Sequence, residues 1–216
     1  MARLRTAILI SGRGSNMKAL IEAARHSSYP AEIVLVASNV PDAAGLDIAR
    51  AAGIATAAID HRAFAGREAF ERALNSRLVE ARVELVCLAG FMRLLTPYFV
   101  DACAGRMINI HPSLLPAFPG LDTHKRALDA GARFAGCTVH YVTSEMDVGP
   151  IVAQAAVPIL PGDDEAALSA RVLAAEHRLY PHALALVAAG RARIVGSKVA
   201  IDGALVPPGP VFNPPL

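Results

Sequence analysis

Short runs of apolar residues, each followed by a segment with helical periodicity, constrain the fold of this chain more than any other feature of the sequence. The clearest runs lie at residues 6–10, 33–37, 85–90 and 107–110. Continuous apolar runs of this length are typical of strands that are buried on both faces. Their alternation with helices predicts an α/β fold: an open, mostly parallel twisted sheet with helices on both faces, Rossmann-like in its N-terminal half.

Helical periodicity is clearest in two segments. The segment 67–83 predicts an amphipathic helix whose apolar residues share one side: Phe70, Leu74, Leu78 and Val79. A longer helix is expected to begin at Asp163 and to reach about residue 189, and Pro181 should break or kink it. The remaining predicted elements are helices at 17–24, 41–52, 97–104 and 123–130, strands at 54–59, 136–142 and 151–157, and a small C-terminal β extension at 192–195 and 199–201.

The composition argues against several classes of function. The formal net charge is only +2 and charges of both signs are mixed, so nucleic acid is not an expected partner. The first apolar run is interrupted at residues 11–14, too early for a signal-peptide core or a membrane span. Cys87, Cys103 and Cys137 are widely spaced and the histidines show no HExxH pattern. We therefore expect a reduced, cytoplasmic protein without a metal.

The turn between the first strand and the first helix has the sequence Ser-Gly-Arg-Gly-Ser-Asn, residues 11–16. Its glycines let backbone N–H groups approach an anion, and the N-terminus of a helix favours negative charge. Ser15 or Asn16 could add a side-chain hydrogen bond or cap the helix. We expect residues 12–16, here called the phosphate loop, to bind phosphate, although such a turn can also serve only to join strand to helix. The loop matches neither the dinucleotide motif nor the nucleoside triphosphate motif.

Asn109 and His111 stand two residues apart at the end of an apolar run. Because side chains i and i+2 of a strand point the same way, the two should project side by side, while Ile108 and Ile110 face a core. The prolines that follow stiffen the backbone: Pro112, Pro116 and Pro119. Either polar residue alone could be a cap or a satisfied buried group, but the pair indicates a rigid polar site.

The topology expected of such a sheet brings further residues to this site. In parallel α/β sheets ligands gather beyond the carboxyl ends of the strands, which puts the phosphate loop, residues 90–95 and Asn109 at the same edge. Asp147 lies in a later loop whose Gly149-Pro150 pair forces a turn. We expect that turn to hold Asp147 at a defined point above the sheet.

Motifs at residues 10–16, 88–93, 109–116 and 147–150 occur in this order and together closely resemble the phosphoribosylglycinamide formyltransferases, which are also called glycinamide ribonucleotide transformylases. Asn-x-His with the following Pro-Ser-Leu-Leu-Pro and the later Asp is similar to the whole superfamily of formyl-folate transferases and hydrolases. The Ser-Gly-x-Gly-Ser-Asn turn narrows the resemblance to the ribonucleotide enzymes. The likeness extends to about Pro181, and more loosely to residues 201–203.

The resemblance implies a division of labour along one domain, residues 1–216. About 1–110 would be a phosphate-binding α/β half, about 111–206 a folate-binding and catalytic half, and 207–216 a Pro-rich extended tail without an assigned role. The substrate phosphate would be held by Gly14, Ser15 and Asn16, and the ribose hydroxyls by Glu176. The residues implied for the folate are Arg67, Met92, Arg93, Leu94, Leu95 and Asn109.

The implied reaction moves the formyl group of 10-formyltetrahydrofolate, as co-substrate, to the amine of glycinamide ribonucleotide in purine biosynthesis. Attack by the amine creates an oxyanion, for which Asn109 and a protonated His111 are the expected donors. A carboxylate beside an imidazole favours the imidazolium, so Asp147 is a suitable partner for His111. Neither a metal nor a nucleophilic side chain is required for this reaction, so we expect direct transfer between the substrates. We expect the protein to be a monomer or a homodimer and its partners to be small molecules.

Two other interpretations remain open from the sequence. In a hydrolase, water would replace the amine in the same active site. In a noncatalytic nucleotide-binding module, only the phosphate loop would be used. The second interpretation leaves Asn109, His111 and Asp147 without a purpose.

Overall fold

The computed structural model describes residues 2–203, 209 and 211–214. Its strands are β1 (Leu4–Ile10), β2 (Ala31–Ser38), β3 (Thr56–Ala58), β4 (Leu85–Leu88), β5 (Met107–His111), β6 (Phe134–Tyr141), β7 (Ile151–Pro158), β8 (Ala192–Val195) and β9 (Lys198–Ile201). Its helices are α1 (Ser15–Ala24), α2 (Ala44–Ala51), α3 (Arg67–Glu80), α4 (Pro97–Ala102), α5 (Thr123–Asp129) and α6 (Glu165–Ala188). Half of the tail predicted at 207–216 lies outside the described residues.

The main sheet has seven strands in the order β3-β2-β1-β4-β5-β6-β7. Strands β1 to β5 pair in parallel, whereas β6 is antiparallel to β5 and β7 is antiparallel to β6. The predicted open, mostly parallel sheet is therefore confirmed, and the β8–β9 hairpin is the predicted C-terminal extension. The antiparallel neighbour of β5 matters for function, because it brings β6 side chains beside those of β5.

Helices cover both faces of the sheet, as predicted. On one face Ile8 and Ile10 of β1 pack in a core with residues of α1, α2 and α6. On the other face Ala7 and Leu9 pack with residues of α3 and α4. Because consecutive residues of β1 alternate between two cores, the strand is buried on both sides, which is what its continuous apolar run indicated.

The apolar side predicted for α3 is confirmed for three of its four residues, and the prediction is wrong for Val79. Phe70, Leu74 and Leu78 are buried and follow each other at intervals of four residues. Val79 is 66% exposed. It comes one residue after Leu78, so it lies about 100° around the helix from the buried stripe.

The start of α6 lies two residues later than predicted. Asp164 is the N-cap, and its side chain accepts a hydrogen bond from the backbone N–H of Ala167 at 2.8 Å. Asp163 instead forms two hydrogen bonds with Arg171, which lower the pKa of the Asp163 carboxyl to about 2. Within the part of the chain that the structure describes, no helix, α6 included, is long and apolar enough to cross a bilayer.

Of the two predicted effects of Pro181, a break or a kink, the break is absent, since α6 runs without interruption through the residue. A proline inside a helix removes one backbone hydrogen bond and costs about 3 kcal/mol. Tyr180, Ala183 and Leu184 are fully buried on either side of it, and their burial offsets that cost. The hydroxyl of Tyr29 also donates to the Pro181 carbonyl at 2.6 Å.

Candidate active site

A cavity of about 530 Å³ opens beyond the carboxyl ends of β4 and β5. Its lining includes Asn109, His111, His140, Asp147 and all of residues 91–95. The volume is within the range of pockets that bind small organic molecules. Of the three stretches that the sequence placed at one edge of the sheet, residues 90–95 and the Asn109–His111 end of β5 contribute to this cavity. The phosphate loop adjoins them without lining the cavity, since Ser11, which precedes that loop, donates its N–H to the Gly90 carbonyl. We call residues 90–95 the 90–95 loop.

Strand β5 presents its side chains as the alternation predicted. Ile108 and Ile110 are buried in the core, whereas Asn109 and His111 both line the cavity. His111 is only 5% exposed. One face of β5 therefore presents Asn109 and His111 to the cavity, and the other face packs Ile108 and Ile110 into the core.

The imidazole of His111 lies between two acceptors. Its Nδ1 is 3.4 Å from Oδ2 of Asp147, and its Nε2 is 3.1 Å from the carbonyl oxygen of Phe118. Both contacts are satisfied only when both ring nitrogens carry hydrogen. Asp147 therefore lies beside His111, as expected, and the Phe118 carbonyl contacts the other ring nitrogen.

Asp147 is positioned by its backbone as well as by its side chain. Its φ is 58°, in the left-handed region, and the backbone N–H of Gly120 donates to Oδ2 at 2.8 Å. Gly149 passes so close to β6 that a Cβ there would lie 1.8 Å from the Tyr141 carbonyl oxygen. Only glycine fits at that approach, so the loop holds Asp147 against the strand.

His140 is a functional candidate that the sequence reasoning missed. It pairs directly with Asn109 across the β5–β6 ladder, and its Nε2 lies 3.3 Å from Nδ2 of Asn109. Its Nδ1 contacts the Tyr141 carbonyl at 3.0 Å, so Nδ1 is the donor and Nε2 the acceptor that orients the Asn109 amide. Burial lowers the pKa of His140 and favours this neutral form. The available signal was a histidine within a strand that follows the Asn-x-His stretch.

The proline-rich segment after His111 is fixed to the neighbouring strands. The hydroxyl of Thr138 donates to the Ser113 carbonyl at 2.7 Å and accepts from the Leu115 N–H at 3.0 Å. Gln154 on β7 donates both to that hydroxyl and to the Leu115 carbonyl. The predicted rigidity of this segment therefore has a second source besides its prolines.

The phosphate loop has an open helix N-terminus. Helix α1 begins at Ser15, and no side chain of the described residues caps it, so the expectation that Ser15 or Asn16 does so is wrong. The N-cap is Gly14, whose φ of 72° favours glycine, and a Cβ there would lie 2.9 Å from Cε of Met17. The uncapped amides remain available to an anion.

Asn16 and Glu176, which the resemblance assigned to neighbouring parts of one substrate, contact each other. Nδ2 of Asn16 donates to the Glu176 carboxylate at 2.7 Å. Glu176 is 6% exposed, and burial raises its pKa. Oδ1 of Asn16 is buried and lacks a hydrogen-bond partner among the described residues. A buried acceptor of this kind is typical of a site that a ligand donor completes.

The residues implied for the folate fall into two groups. The side chains of Met92 and Leu94 are 67% and 64% exposed, and with Arg93 and Leu95 they line the cavity. Arg67 is the exposed first residue of α3, and it is not one of the residues that line the cavity.

The cysteines are unsuited to nucleophilic catalysis. Cys87, Cys103 and Cys137 are all buried and free of disulfides. Burial raises the pKa of Cys87 and of Cys137 to about 12, and it also raises the pKa of Cys103. None of the three thiols is ionised at neutral pH, and the thiolate is the nucleophilic form.

Comparison with known proteins places these features in a family. Residues 4–184 match the family model described as formyl transferase. A phosphoribosylglycinamide formyltransferase of Escherichia coli (strain K12) is 45% identical over 93% of this chain and 95% of its own length. A glycinamide ribonucleotide transformylase 1 from Symbiobacterium toebii has a crystal structure that superposes with a TM-score of 0.90, at 48% identity over 92% of this chain and 94% of that one.

Longer relatives contain a similar region. The trifunctional purine biosynthetic protein adenosine-3 of Drosophila pseudoobscura pseudoobscura is 55% identical over 89% of this chain, which spans only 14% of that protein. The resemblance stated from the motifs is confirmed: this chain belongs to the formyl transferase family, among relatives named phosphoribosylglycinamide formyltransferase.

Proposed function

We propose that this chain transfers the formyl group of 10-formyltetrahydrofolate to the amine of glycinamide ribonucleotide, giving N-formylglycinamide ribonucleotide and tetrahydrofolate. One observation carries the proposal: Asn109, His111 and Asp147 converge in a cavity beside an uncapped phosphate loop. The choice of substrate is supported by the names of the relatives, and the choice of reaction is supported by the three side chains that meet in the cavity.

The two substrates are expected to approach from different sides of the Asn109 amide. The ribonucleotide phosphate binds the N–H groups of Gly14, Ser15 and Asn16, and the ribose hydroxyls donate to Glu176. A hydroxyl could also satisfy the buried Oδ1 of Asn16. The folate enters the cavity along the 90–95 loop, where exposed apolar side chains can cover an aromatic ring.

Asn109 serves as the principal oxyanion donor in this mechanism. Its amide is oriented by His140, which accepts one of the two Nδ2 hydrogens. The second hydrogen is then available to the formyl oxygen as the amine attacks and negative charge develops. Loss of one such donor typically lowers turnover by about 10²–10³-fold.

His111 and Asp147 supply charge and proton transfer. An imidazolium beside the carboxylate stabilises the oxyanion, and its Nε2–H reaches the formyl oxygen once it leaves the Phe118 carbonyl. The new C–N bond leaves an ammonium, whose proton passes to Asp147 directly or through water. The bond to the folate nitrogen then breaks as that nitrogen gains a proton. Because no thiol near the reaction is ionised, the formyl group moves directly between substrates.

A coupled assay with 10-formyltetrahydrofolate and glycinamide ribonucleotide, each omitted in turn, tests the proposal. Tetrahydrofolate should form rapidly only when both substrates are present. Equal rates with and without ribonucleotide would identify a hydrolase, in which water takes the place of the amine. Binding of the ribonucleotide without any turnover of the folate would identify a noncatalytic module.

A further inference from the structure

Resting on the proposed function, we infer that Ser11 is a positioning residue for the folate side of the site, although it belongs to the motif of the phosphate loop. It stands immediately before that loop, at the end of β1. Its contacts, however, reach the 90–95 loop and the end of β2. Ser11 would thus fix the 90–95 loop, which binds the folate, although it stands at the end of β1, the strand that leads into the phosphate loop for the ribonucleotide.

Ser11 makes two of the hydrogen bonds that fix the start of the 90–95 loop. Its backbone N–H donates to the Gly90 carbonyl at 3.1 Å, and its Oγ accepts from the backbone N–H of Met92 at 2.8 Å. Both partners belong to the loop rather than to the strands on either side of it. The hydroxyl therefore holds the backbone at the residue where the loop begins to line the cavity.

The direction of the hydroxyl is also fixed. Its single hydrogen is donated to Oδ1 of Asn39 at 2.5 Å, and Asn39 is only 3% exposed. A hydroxyl that donates in one direction keeps its lone pairs for acceptance in another. Asn39 therefore orients Ser11 so that it accepts from Met92, and the three groups form one directed chain of hydrogen bonds.

The middle of the loop depends on such backbone contacts, because Phe91 and Leu95 pack against the core near its two ends but the side chains between them add little packing. Met92 and Leu94 are mostly exposed. At the far end of the loop, the buried carboxylate of Glu71 accepts from the backbone N–H of Thr96 at 2.8 Å and from its hydroxyl. Ser11 and Glu71 thus hold the two ends, and loss of either hold would let the segment between them move. Small displacements matter here, because reacting atoms must approach to about 3–3.5 Å.

Ser38 provides a matched comparison at the same edge of the sheet. It pairs with Ile10, the neighbour of Ser11, and it is a serine at the end of the adjacent strand, although it is more deeply buried than Ser11. Its hydroxyl donates to the Val40 carbonyl at 2.8 Å and accepts from the Val40 N–H at 3.0 Å. Both partners are local, so Ser38→Ala should disturb stability without reaching the 90–95 loop.

The test measures KM for each substrate, at saturating concentration of the other, in wild type, Ser11→Ala and Ser38→Ala. Ser11→Ala removes the acceptor that fixes the Met92 N–H at the edge of the cavity, so it should raise the KM for the formyl folate by about tenfold. We expect its KM for the ribonucleotide and its kcat to change by less than about threefold. Ser38→Ala should leave both KM values within that limit.

A second variant covers the case in which Ser11→Ala folds poorly. Asn39→Ala keeps the serine hydroxyl but removes the acceptor that orients it, so the folate KM should rise by about fivefold, above the threefold limit, while the ribonucleotide KM stays within that limit. Equal rises in both KM values, or no rise in an active enzyme, would overturn the role of Ser11. A wild-type protein that does not transfer the formyl group instead refutes the proposed function, and the inference with it.

Discussion

The phosphate loop and the Asn109–His111 end of β5 lie on the same edge of the sheet, but different kinds of contact hold them in place. The phosphate loop is shaped chiefly by its own backbone, through the left-handed conformation of Gly14, and one more distant contact supports it: the Gly45 N–H of α2 donates to the Gly12 carbonyl at 3.1 Å. The β5 end is held by partners distant in sequence, such as His140 and Asp147. A locally shaped site can be recognised from a short motif, whereas an assembled site requires knowledge of strand pairing.

If the assembled site carries the chemistry, the largest effect should come from removing its central imidazole. His111→Ala removes both the donor to the oxyanion and the partner of Asp147, and kcat should fall by about 10²–10³-fold. The ribonucleotide KM should stay within about threefold, because the phosphate loop is untouched. Steady-state kinetics of this variant and of His26→Ala, an exposed histidine after α1, make the comparison. A loss confined to substrate affinity would make His111 a binding residue and remove it from catalysis.

The next largest effect should come from displacing Asp147 through the backbone that supports it. In Gly149→Ala the added Cβ would meet the Tyr141 carbonyl at 1.8 Å, so the loop must shift. We expect kcat to fall by at least about tenfold and the free energy of unfolding by about 1–3 kcal/mol. Kinetics together with thermal denaturation measure both changes.

Gly66→Ala is the matched control for that substitution. Gly66 has an extended backbone, and a Cβ there would meet no atom within 4 Å. Kinetics and stability should remain close to wild type. Normal kcat in Gly149→Ala would show that the position of Asp147 tolerates movement of its loop.

A substitution in the phosphate loop should instead weaken the binding of the ribonucleotide and leave kcat nearly unchanged. Gly14→Ala forces a side chain into the left-handed region and places its Cβ 2.9 Å from Met17 and 3.3 Å from the Gly45 backbone. Strain of this kind costs about 1–3 kcal/mol, so the KM for the ribonucleotide should rise by about tenfold while the folate KM changes little.

Gly12→Ala is the control that separates backbone strain at Gly14 from the effect of adding any methyl group to the phosphate loop. A Cβ at Gly12 would meet no atom within 4 Å, so this variant should keep the wild-type melting temperature, whereas Gly14→Ala should lower it by about 2–6 °C. Equal melting temperatures in the two variants would contradict the claim that the Gly14 backbone shapes the loop.

The same contrast explains how much the sequence could predict. Periodicity and apolar runs predicted the sheet, the helices on both faces and the edge where the site lies, because these depend on local patterns. The alternation of β5 also predicted that Asn109 and His111 share a face. His140 was missed because its place beside Asn109 depends on the antiparallel pairing of β6 with β5, which no local pattern specifies.

Two other differences arise from packing that a single segment does not reveal. Pro181 is tolerated inside α6 because fully buried neighbours hold the helix on either side. The Phe118 carbonyl contacts the Nε2 of His111 because the proline-rich segment after His111 folds back over the imidazole. In both cases the local rule was sound, but tertiary contacts outweighed it.

The smallest predicted effect concerns Glu176, where the two regions meet through Asn16. Burial raises the pKa of Glu176, so above that pKa the folded protein holds a charge at a cost that the unfolded chain does not bear. As the pH falls from neutral towards the ordinary value of 4.5, the folded state takes up the proton first, and stability from this group increases.

Glu176→Gln removes the charge and keeps an acceptor for Asn16. It should therefore raise the melting temperature at pH 7–8 by at most about 2–4 °C, with the gain vanishing near pH 4.5. Thermal denaturation across that range, with the exposed Glu32→Gln as a control that should show no such trend, measures it. The same substitution should raise the ribonucleotide KM, so a carboxylate that costs stability would be retained for the substrate it holds. A variant that is less stable than wild type at every pH would instead make Glu176 a structural partner of Asn16.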